Sequence, residues 1–414
     1  MPPCWGSKDD DTMAHAYRAR WLIPAEGPIL EDAALVAKAG RIVRIGPWAS
    51  LKAHVGGSDA LEHFPDAALL PGLVNAHTHL SLSDMRGKFR PTKNFASWIA
   101  RLAARRQLRT EARMRQAVED GARECREAGT VAGADLTLDT LLDDPLGGDG
   151  TRWTVFSEVL RFGEAGRQRL RQAIAEVEAL TRAGRIRPGL SPHAPYTLSA
   201  DLFVEVRQAA DARGWPVSTH LHETLDEIAL VERGEGKLHS WLSLLRFLPR
   251  GWKPAGVRPM RMLADAGFFS GPVLVGHANY LTDDEIAILA ASGSSVAFCP
   301  RSHAFFRHAD HPWRRLLAAG VNVCLGTDSL ASSPNLSVLD EARLLFAQGG
   351  ADPRTLLAMA TRRGARALGL EDVTGDLREG LAAEFCVVEP AAGSQEPLAA
   401  VLAGESGPVR LVRP

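Results

Sequence analysis

The stretch Leu69-Leu70-Pro71-Gly72-Leu73-Val74-Asn75-Ala76-His77-Thr78-His79-Leu80 decides how the rest of the chain reads. An apolar run breaks at Pro71-Gly72, resumes at Leu73-Val74, and ends in two histidines one residue apart. Side chains alternate faces on a strand, so His77 and His79 project to the same side, about 6–7 Å apart along it. Where the strand frays into a loop, twist brings both imidazoles within reach of one metal ion. The pair alone is a weak signal, and its strength comes from polar residues at the ends of later strands.

Outward from it, residues 71–371 alternate short apolar strands with amphipathic helices. The strands read at 73–76, 130–134, 153–158, 186–191, 215–221, 272–276, 294–298 and 321–326. The helices read at 110–128, 164–183, 200–213, 282–292, 338–348 and 353–368. Eight such alternations are the plan of a (β/α)₈ TIM barrel, whose chemistry sits at the C-terminal strand ends. A doubly wound open sheet is the alternative, but no Gly-rich phosphate loop opens any of the helices. Either side of this middle the texture changes. Residues 16–70 and the tail (Gly375-Asp376-Leu377, Ala383–Val388, Val401-Leu402-Ala403, Pro408–Val412) read as short strands separated by Gly, Pro and acidic turns. The expected organisation is a disordered 1–12, a composite β-sandwich domain from 13–70 with 372–414, and the barrel at 71–371.

Polar residues cluster where the barrel strands end. Strand four runs into Ser191-Pro192-His193, strand five into His220-Leu221-His222-Glu223, strand six into Gly276-His277, and strand eight into Gly326-Thr327-Asp328. Barrel interiors favour branched apolar side chains, and buried charge is penalised unless paired or metal-bound. Three neutral imidazoles and one carboxylate make a site suited to zinc and tolerated by iron or manganese. The ligand set read here is His77, His79, His220 and Asp328, holding one divalent ion that lowers the pKa of a bound water to about 7. Glu223, three residues past His220, is placed to shuttle protons; the other reading is a carboxylate beside a helix dipole. His277 reads as an electrophile or water-orienting group, or else as a core histidine. His193 reads as a substrate contact, His222 as structural, and His303, His308 and His311 as members of a solvated loop.

Composition bounds the rest. The chain has 414 residues, 45% hydrophobic and 23% charged, with a net charge of −1. That argues for a soluble globular protein and against nucleic acid or an anionic membrane as partner. No apolar stretch reaches the roughly 18–20 residues that span a bilayer. The start Met1-Pro2-Pro3-Cys4 lacks a secretory plan, and five cysteines without paired spacing fit a cytoplasmic location.

The elements Pro71–His79, Thr219-His220-Leu221-His222-Glu223-Thr224, Val275-Gly276-His277-Ala278 and Leu325–Ser332 together resemble the amidohydrolase superfamily, in its cytosine deaminase-like branch. The resemblance implies a distorted barrel with a small β domain from both termini, and a hydrolase acting on carbon–nitrogen bonds of cyclic amidines. It implies that water replaces an amino group on an aromatic carbon. Glu223 would protonate the adjacent ring nitrogen, while His277 and Asp328 orient the water and relay its proton to departing ammonia. Dinuclear members need a carboxylated lysine at the end of strand four; here no lysine lies between Lys93 and Lys237, so one ion is expected.

For the substrate, Ser191-Pro192-His193-Ala194-Pro195-Tyr196 resembles the deaminases of S-adenosylhomocysteine, methylthioadenosine and aminofutalosine, in which this histidine contacts the nucleoside. Phe95-Ala96-Ser97-Trp98 looks like the loop that closes over the ligand. Arg161 and Arg301, at the ends of strands three and seven, could each grip a substrate carboxylate, the alternative being ordinary surface arginines. Together they favour a carboxylate-bearing adenine nucleoside, with aminofutalosine as the best single name. S-adenosylhomocysteine, methylthioadenosine or a free base stay open, as do a chlorohydrolase or cyclic-amide hydrolase and, remotely, an inactive scaffold. The only partner expected is this small molecule, and a homodimer is left open.

Overall fold

A computed structural model of the chain describes residues 14–55, 60–138, 146, 148, 150–182, 186–349, 351–404 and 406–414. The expectation of disorder for 1–12 lies outside these described residues. In chain order the strands are β1 (His15–Leu22), β2 (Leu30–Lys38), β3 (Arg41–Pro47), β4 (Ala60–Pro71), β5 (Leu73–Thr78), β6 (Thr130–Thr137) and β7 (Arg152–Val159). They continue with β8 (Arg187–Pro192), β9 (Ser218–Leu221), β10 (Leu274–His277), β11 (Ser295–Phe298), β12 (Asn322–Leu325), β13 (Phe385–Val388) and β14 (Arg410–Val412). The described residues divide into two compact units. One comprises those up to Asn75 with Glu124–Ala132 and Ser337–Pro414; the other comprises Ala76–Arg123 with Gly133–Leu336.

In the first unit a six-stranded mixed sheet runs β14-β13-β4-β1-β2-β3, so strands from both chain ends interleave. All pairings in it are antiparallel except β1 with β4. Ile42 N–H donates to Leu381 O at 2.8 Å and Gly380 N–H to Ile42 O at 2.8 Å, which brings the β3 edge against the segment entering β13. The sheet thereby curls around Tyr17, Leu22, Leu35, Ile42, Leu69 and Phe385. Val401-Leu402-Ala403, expected as a strand, instead ends a helix at Pro397–Leu402. Pro397 presets the first helical turn, and three apolar residues carry no period of their own.

β5 to β12 form two four-stranded arcs, β5-β6-β7-β8 and β9-β10-β11-β12. Single parallel bridges, Thr78 with Asp328 and Leu190 with Val217, close both seams. Eight strands in chain order around a ring make a TIM barrel, distorted because each seam rests on one bridge. β9, β10, β11 and β12 are buried along their whole length, as parallel strands covered on both faces must be. The eight strands fall where the alternation put them. The stretch Phe95–Trp98, read as a loop, begins a helix at Phe95–Arg106, and another helix runs Leu225–Arg233; they are started by the side chains of Asn94 and Thr224, which accept from Ser97 and Glu227 N–H. The helix expected at 353–368 is broken at Thr361, whose hydroxyl donates to Leu357 O at 2.6 Å and whose φ of −134° is not helical. Among the described residues no helix is long and apolar enough to cross a membrane.

Candidate metal centre

His79 and His220 meet nitrogen to nitrogen: Nε2 of one lies 3.1 Å from Nε2 of the other. The outer nitrogens determine what that means. His79 Nδ1 contacts Leu136 O at 2.8 Å and His220 Nδ1 contacts His193 O at 3.1 Å. A carbonyl accepts only, so each Nδ1 carries a proton, and on a neutral ring that leaves Nε2 a bare lone pair aimed at the other ring. Burial, helped by neighbouring imidazoles, holds the His220 pKa well below its ordinary value, so His220 does not relieve the clash by protonation. Two lone pairs at this spacing are what two ligands about 2.0–2.1 Å from a shared cation present.

The other donors converge on the same point. His77 is fully buried, neither of its ring nitrogens has a hydrogen-bond partner among the described residues, and its ring packs edge-on against His79 and His220 at 5.2 and 5.0 Å. One nitrogen from each of the three lies within 4.8 Å of the others. Asp328 Oδ1 stands 3.7 Å from His79 Nε2, while its Oδ2 accepts from Ser302 at 2.6 Å and Ser332 at 2.8 Å. One carboxylate oxygen is thereby saturated and the other left for the centre. The donor set fits a borderline divalent ion, with outer-shell carbonyls fixing ligand tautomers.

The neighbouring glycines explain why His77 fits. A Cβ on Gly276 would come 2.8 Å from His77 Cε1, and one on Gly326 would come 2.6 Å from His77 Cβ. The bare backbones of β10 and of the segment after β12 make the slot for this imidazole. Backbone strain gathers here too: Arg161 (φ 105°), His222 (53°), His277 (69°), Ala278 (54°) and Asp328 (56°) all sit at strand ends in the left-handed region. Each costs roughly 1–3 kcal/mol and persists only where surroundings fix it.

Glu223 Oε1 lies 3.8 Å from His277 Nε2. Burial, then the charges of Asp328, Glu227 and Glu158, push the Glu223 carboxyl well above its ordinary pKa. Burial takes His277 down to about 4. Burial thus favours the proton-bearing form of the carboxyl and the neutral form of the imidazole facing it. The helix-terminal role considered for Glu223 belongs to Glu227, which accepts the N–H groups of His222 and Glu223, each at 2.9 Å. His222 faces away as expected: Met260 N–H donates to its Nε2 at 3.2 Å.

A cavity of about 410 Å³ opens over this cluster, lined by His79, His220, Glu223, His277 and Asp328 together with Trp98, His193, Tyr196, Phe247, Arg106, Arg161 and Glu158. His193 is held by Thr197 Oγ1 at 3.1 Å. Trp98 packs edge-to-face on Phe306 at 4.9 Å. The Arg161 guanidinium lies 4.5 Å from the centre of the Phe247 ring. Arg301 is not among the lining residues. Its Nη1 and Nη2 donate to Asn335 Oδ1 and O at 2.6 and 2.9 Å, which directs the guanidinium to that loop.

His303, His308 and His311 correct the solvated-loop expectation. His311 donates from Nε2 to His277 O at 2.7 Å and stacks on Phe298 at 3.7 Å. His308 Nδ1 meets the Tyr280 hydroxyl at 2.7 Å. Burial lowers the three to about 4, 3 and 3 respectively. Their aromatic neighbours supply the burial that a polar loop sequence does not reveal. Glu158 was missed as a site residue, although a carboxylate inside the strand read at 153–158, where a barrel wall favours uncharged side chains, is a signal that could have found it.

Residues 68–409 match the profile of the amidohydrolase family. The chain is 31% identical over 386 residues to a 5-methylthioadenosine/S-adenosylhomocysteine deaminase of Moorella thermoacetica, covering 89% of this chain and 84% of that protein. A zinc-bound adenosine deaminase from Xanthomonas campestris superposes with a TM-score of 0.80 at 26% identity, over 97% of this chain and 92% of the other. The fold is also that of Helicobacter pylori aminofutalosine deaminase crystallised with methylthio-coformycin, with a TM-score of 0.85 at 22% identity, over 96% and 98% of the two chains.

Because the His77 slot is lined by glycine backbone, Gly276→Ala is expected to displace the ring. Metal content by atomic emission should fall well below one equivalent per chain while far-ultraviolet circular dichroism stays unchanged. Full metal retention would contradict this reading of the slot.

Proposed function

The chain belongs to the amidohydrolase family, and on that premise we propose that it hydrolytically deaminates an adenine nucleoside, releasing ammonia. The observation that carries the reading is the pair of facing imidazole lone pairs in one cavity with a proton-holding Glu223. Relatives named as nucleoside deaminases support the substrate class. The reading assigns the ion to His77, His79, His220 and Asp328, with zinc first because the Xanthomonas relative holds it. A divalent ion there supplies Lewis acidity, lowering the pKa of a water to about 7.

The chain's own residues supply the rest. Glu223, whose carboxyl burial pushes well above its ordinary pKa, protonates the ring nitrogen beside the carbon that bears the amine. His277 and the open oxygen of Asp328 orient the attacking water and take its proton, which leaves on ammonia. The remaining hydroxyl proton returns to Glu223 as ammonia departs, so the nucleoside gains a carbonyl where it lost an amino group. Trp98 and Tyr196 give the cavity an apolar wall that keeps bulk water from competing, and His193 contacts the heterocycle. Residues 71–371 carry this reaction, with 13–70 and 372–414 as an accessory β domain and the cytoplasm as location.

The finer reading is a nucleoside bearing a carboxylate, with aminofutalosine as the named candidate. Arg161, in the cavity lining, supports it; Arg301 gives it no support, being engaged with Asn335. The second reading, S-adenosylhomocysteine or methylthioadenosine, is favoured by the Moorella relative.

The direct test is ammonia release and absorbance change by the zinc-loaded protein on aminofutalosine, S-adenosylhomocysteine, methylthioadenosine, adenosine, guanine and cytosine. Turnover of at least one adenine nucleoside is expected, and activity confined to the free bases would contradict the proposal. Glu223→Gln should keep its metal and lose about 10²–10⁴-fold in kcat; near-normal turnover would remove Glu223 as the acid. Arg161→Ala should raise KM roughly tenfold for carboxylate-bearing nucleosides and leave neutral ones within about twofold, as loss of a charge-assisted hydrogen bond requires. An equal rise for both would sink the carboxylate reading.

A further inference from the structure

Glu158, next to last in β7, is 2% exposed and lines the cavity, yet among the described residues its Oε1 accepts no hydrogen bond. Burying a carboxylate oxygen with no donor costs free energy that folding does not recover. The two ring N–H groups best placed to serve it are engaged elsewhere. His220 Nδ1 is 3.7 Å away, too far to donate, and gives its proton to His193 O. His193 Nδ1 is held by Thr197 Oγ1. An oxygen kept in this state inside a ligand cavity is complementary to a donor on the ligand, and a carboxylate only accepts.

Its position says which donor. Glu158 faces the Nδ1 end of His220, whereas the Nε2 end faces His79, so it stands one imidazole ring removed from the metal donors. A heterocycle with its reacting carbon at that centre presents its far edge to Glu158. In a purine nucleoside attacked at the carbon bearing the amine, that edge carries N3, and the sugar 2′-hydroxyl lies on the same side. We propose that Glu158 is a specificity-determining residue that accepts a hydrogen bond from a sugar hydroxyl of the substrate, making the site selective for ribonucleosides. The assignment rests on the proposed nucleoside deamination. Glu158, His193 and His220 also lie close enough to hold a second cation, but the His220 nitrogen on that side carries a proton, so hydroxyl recognition is the reading the geometry favours.

The experiment compares zinc-loaded wild type and Glu158→Gln on adenosine, 2′-deoxyadenosine and 3′-deoxyadenosine, with metal per chain measured alongside. In the wild type, kcat/KM for adenosine should exceed that for one deoxy form by about 10- to 100-fold, the worth of a hydrogen bond to a charged group. In Glu158→Gln that ratio should shrink to about threefold with one metal retained. Glu158→Asp, which keeps the charge, should hold an intermediate ratio, and if neither variant folds the wild-type ratio decides. Absence of discrimination in the wild type would overturn the assignment. So would an unchanged ratio in Glu158→Gln, a uniform loss on all three nucleosides, or a second metal in the wild type that the variant lacks. Failure to turn over any adenine nucleoside would overturn the nucleoside reading itself and this assignment with it.

Discussion

His79 and His220 bring their Nε2 atoms to 3.1 Å of each other, the spacing of two ligands on one cation, and the organisation around them reflects that constraint. Each ring is turned inward by a backbone carbonyl at its outer nitrogen, Leu136 O for one and His193 O for the other. Those carbonyls belong to strand ends of the barrel, so the tautomers are set by the closed ring of strands. His77 fills the remaining space because β10 and the segment after β12 present glycine to it.

The same strand ends carry the backbone strain. His277 and Asp328 sit in the left-handed region, and each is held by contacts that leave a functional atom free. The His277 carbonyl is taken by His311, leaving its ring towards Glu223. Asp328 spends one oxygen on Ser302 and Ser332 and keeps the other. Glu227, raised to about 8 by burial, accepts two successive peptide N–H groups and so fixes the turn that presents Glu223. Strain localised at chemically active positions, with nearby groups saturated to maintain it, is the pattern of a preorganised site.

Much of this was legible in the sequence because a barrel places chemistry where strands stop. His77, His79, His220, His277 and Asp328 each follow an apolar run, and the structure gathers them. What the sequence did not disclose was side-chain direction beyond those ends. Arg301 and Arg161 looked equivalent, but one is engaged by Asn335 and the other lies over Phe247. His303, His308 and His311 read as a polar loop because periodicity does not show that the segment folds back on Phe298, at the end of the preceding strand, and meets Tyr280 from an earlier turn. Glu158 escaped notice since it sits within a strand instead of after one. The break at Thr361 depends on a hydroxyl reaching back one turn, which a periodicity argument does not register.

The central claim is that one divalent cation is held by His77, His79, His220 and Asp328. Anomalous diffraction at the zinc edge from crystals of the zinc-loaded protein tests it most directly. A single peak among these four side chains, within ordinary bonding distance of the His79 and His220 Nε2 atoms, is the result predicted. A fully loaded protein whose only peak lies elsewhere, or whose His79 and His220 rings turn away from the ion, would contradict it.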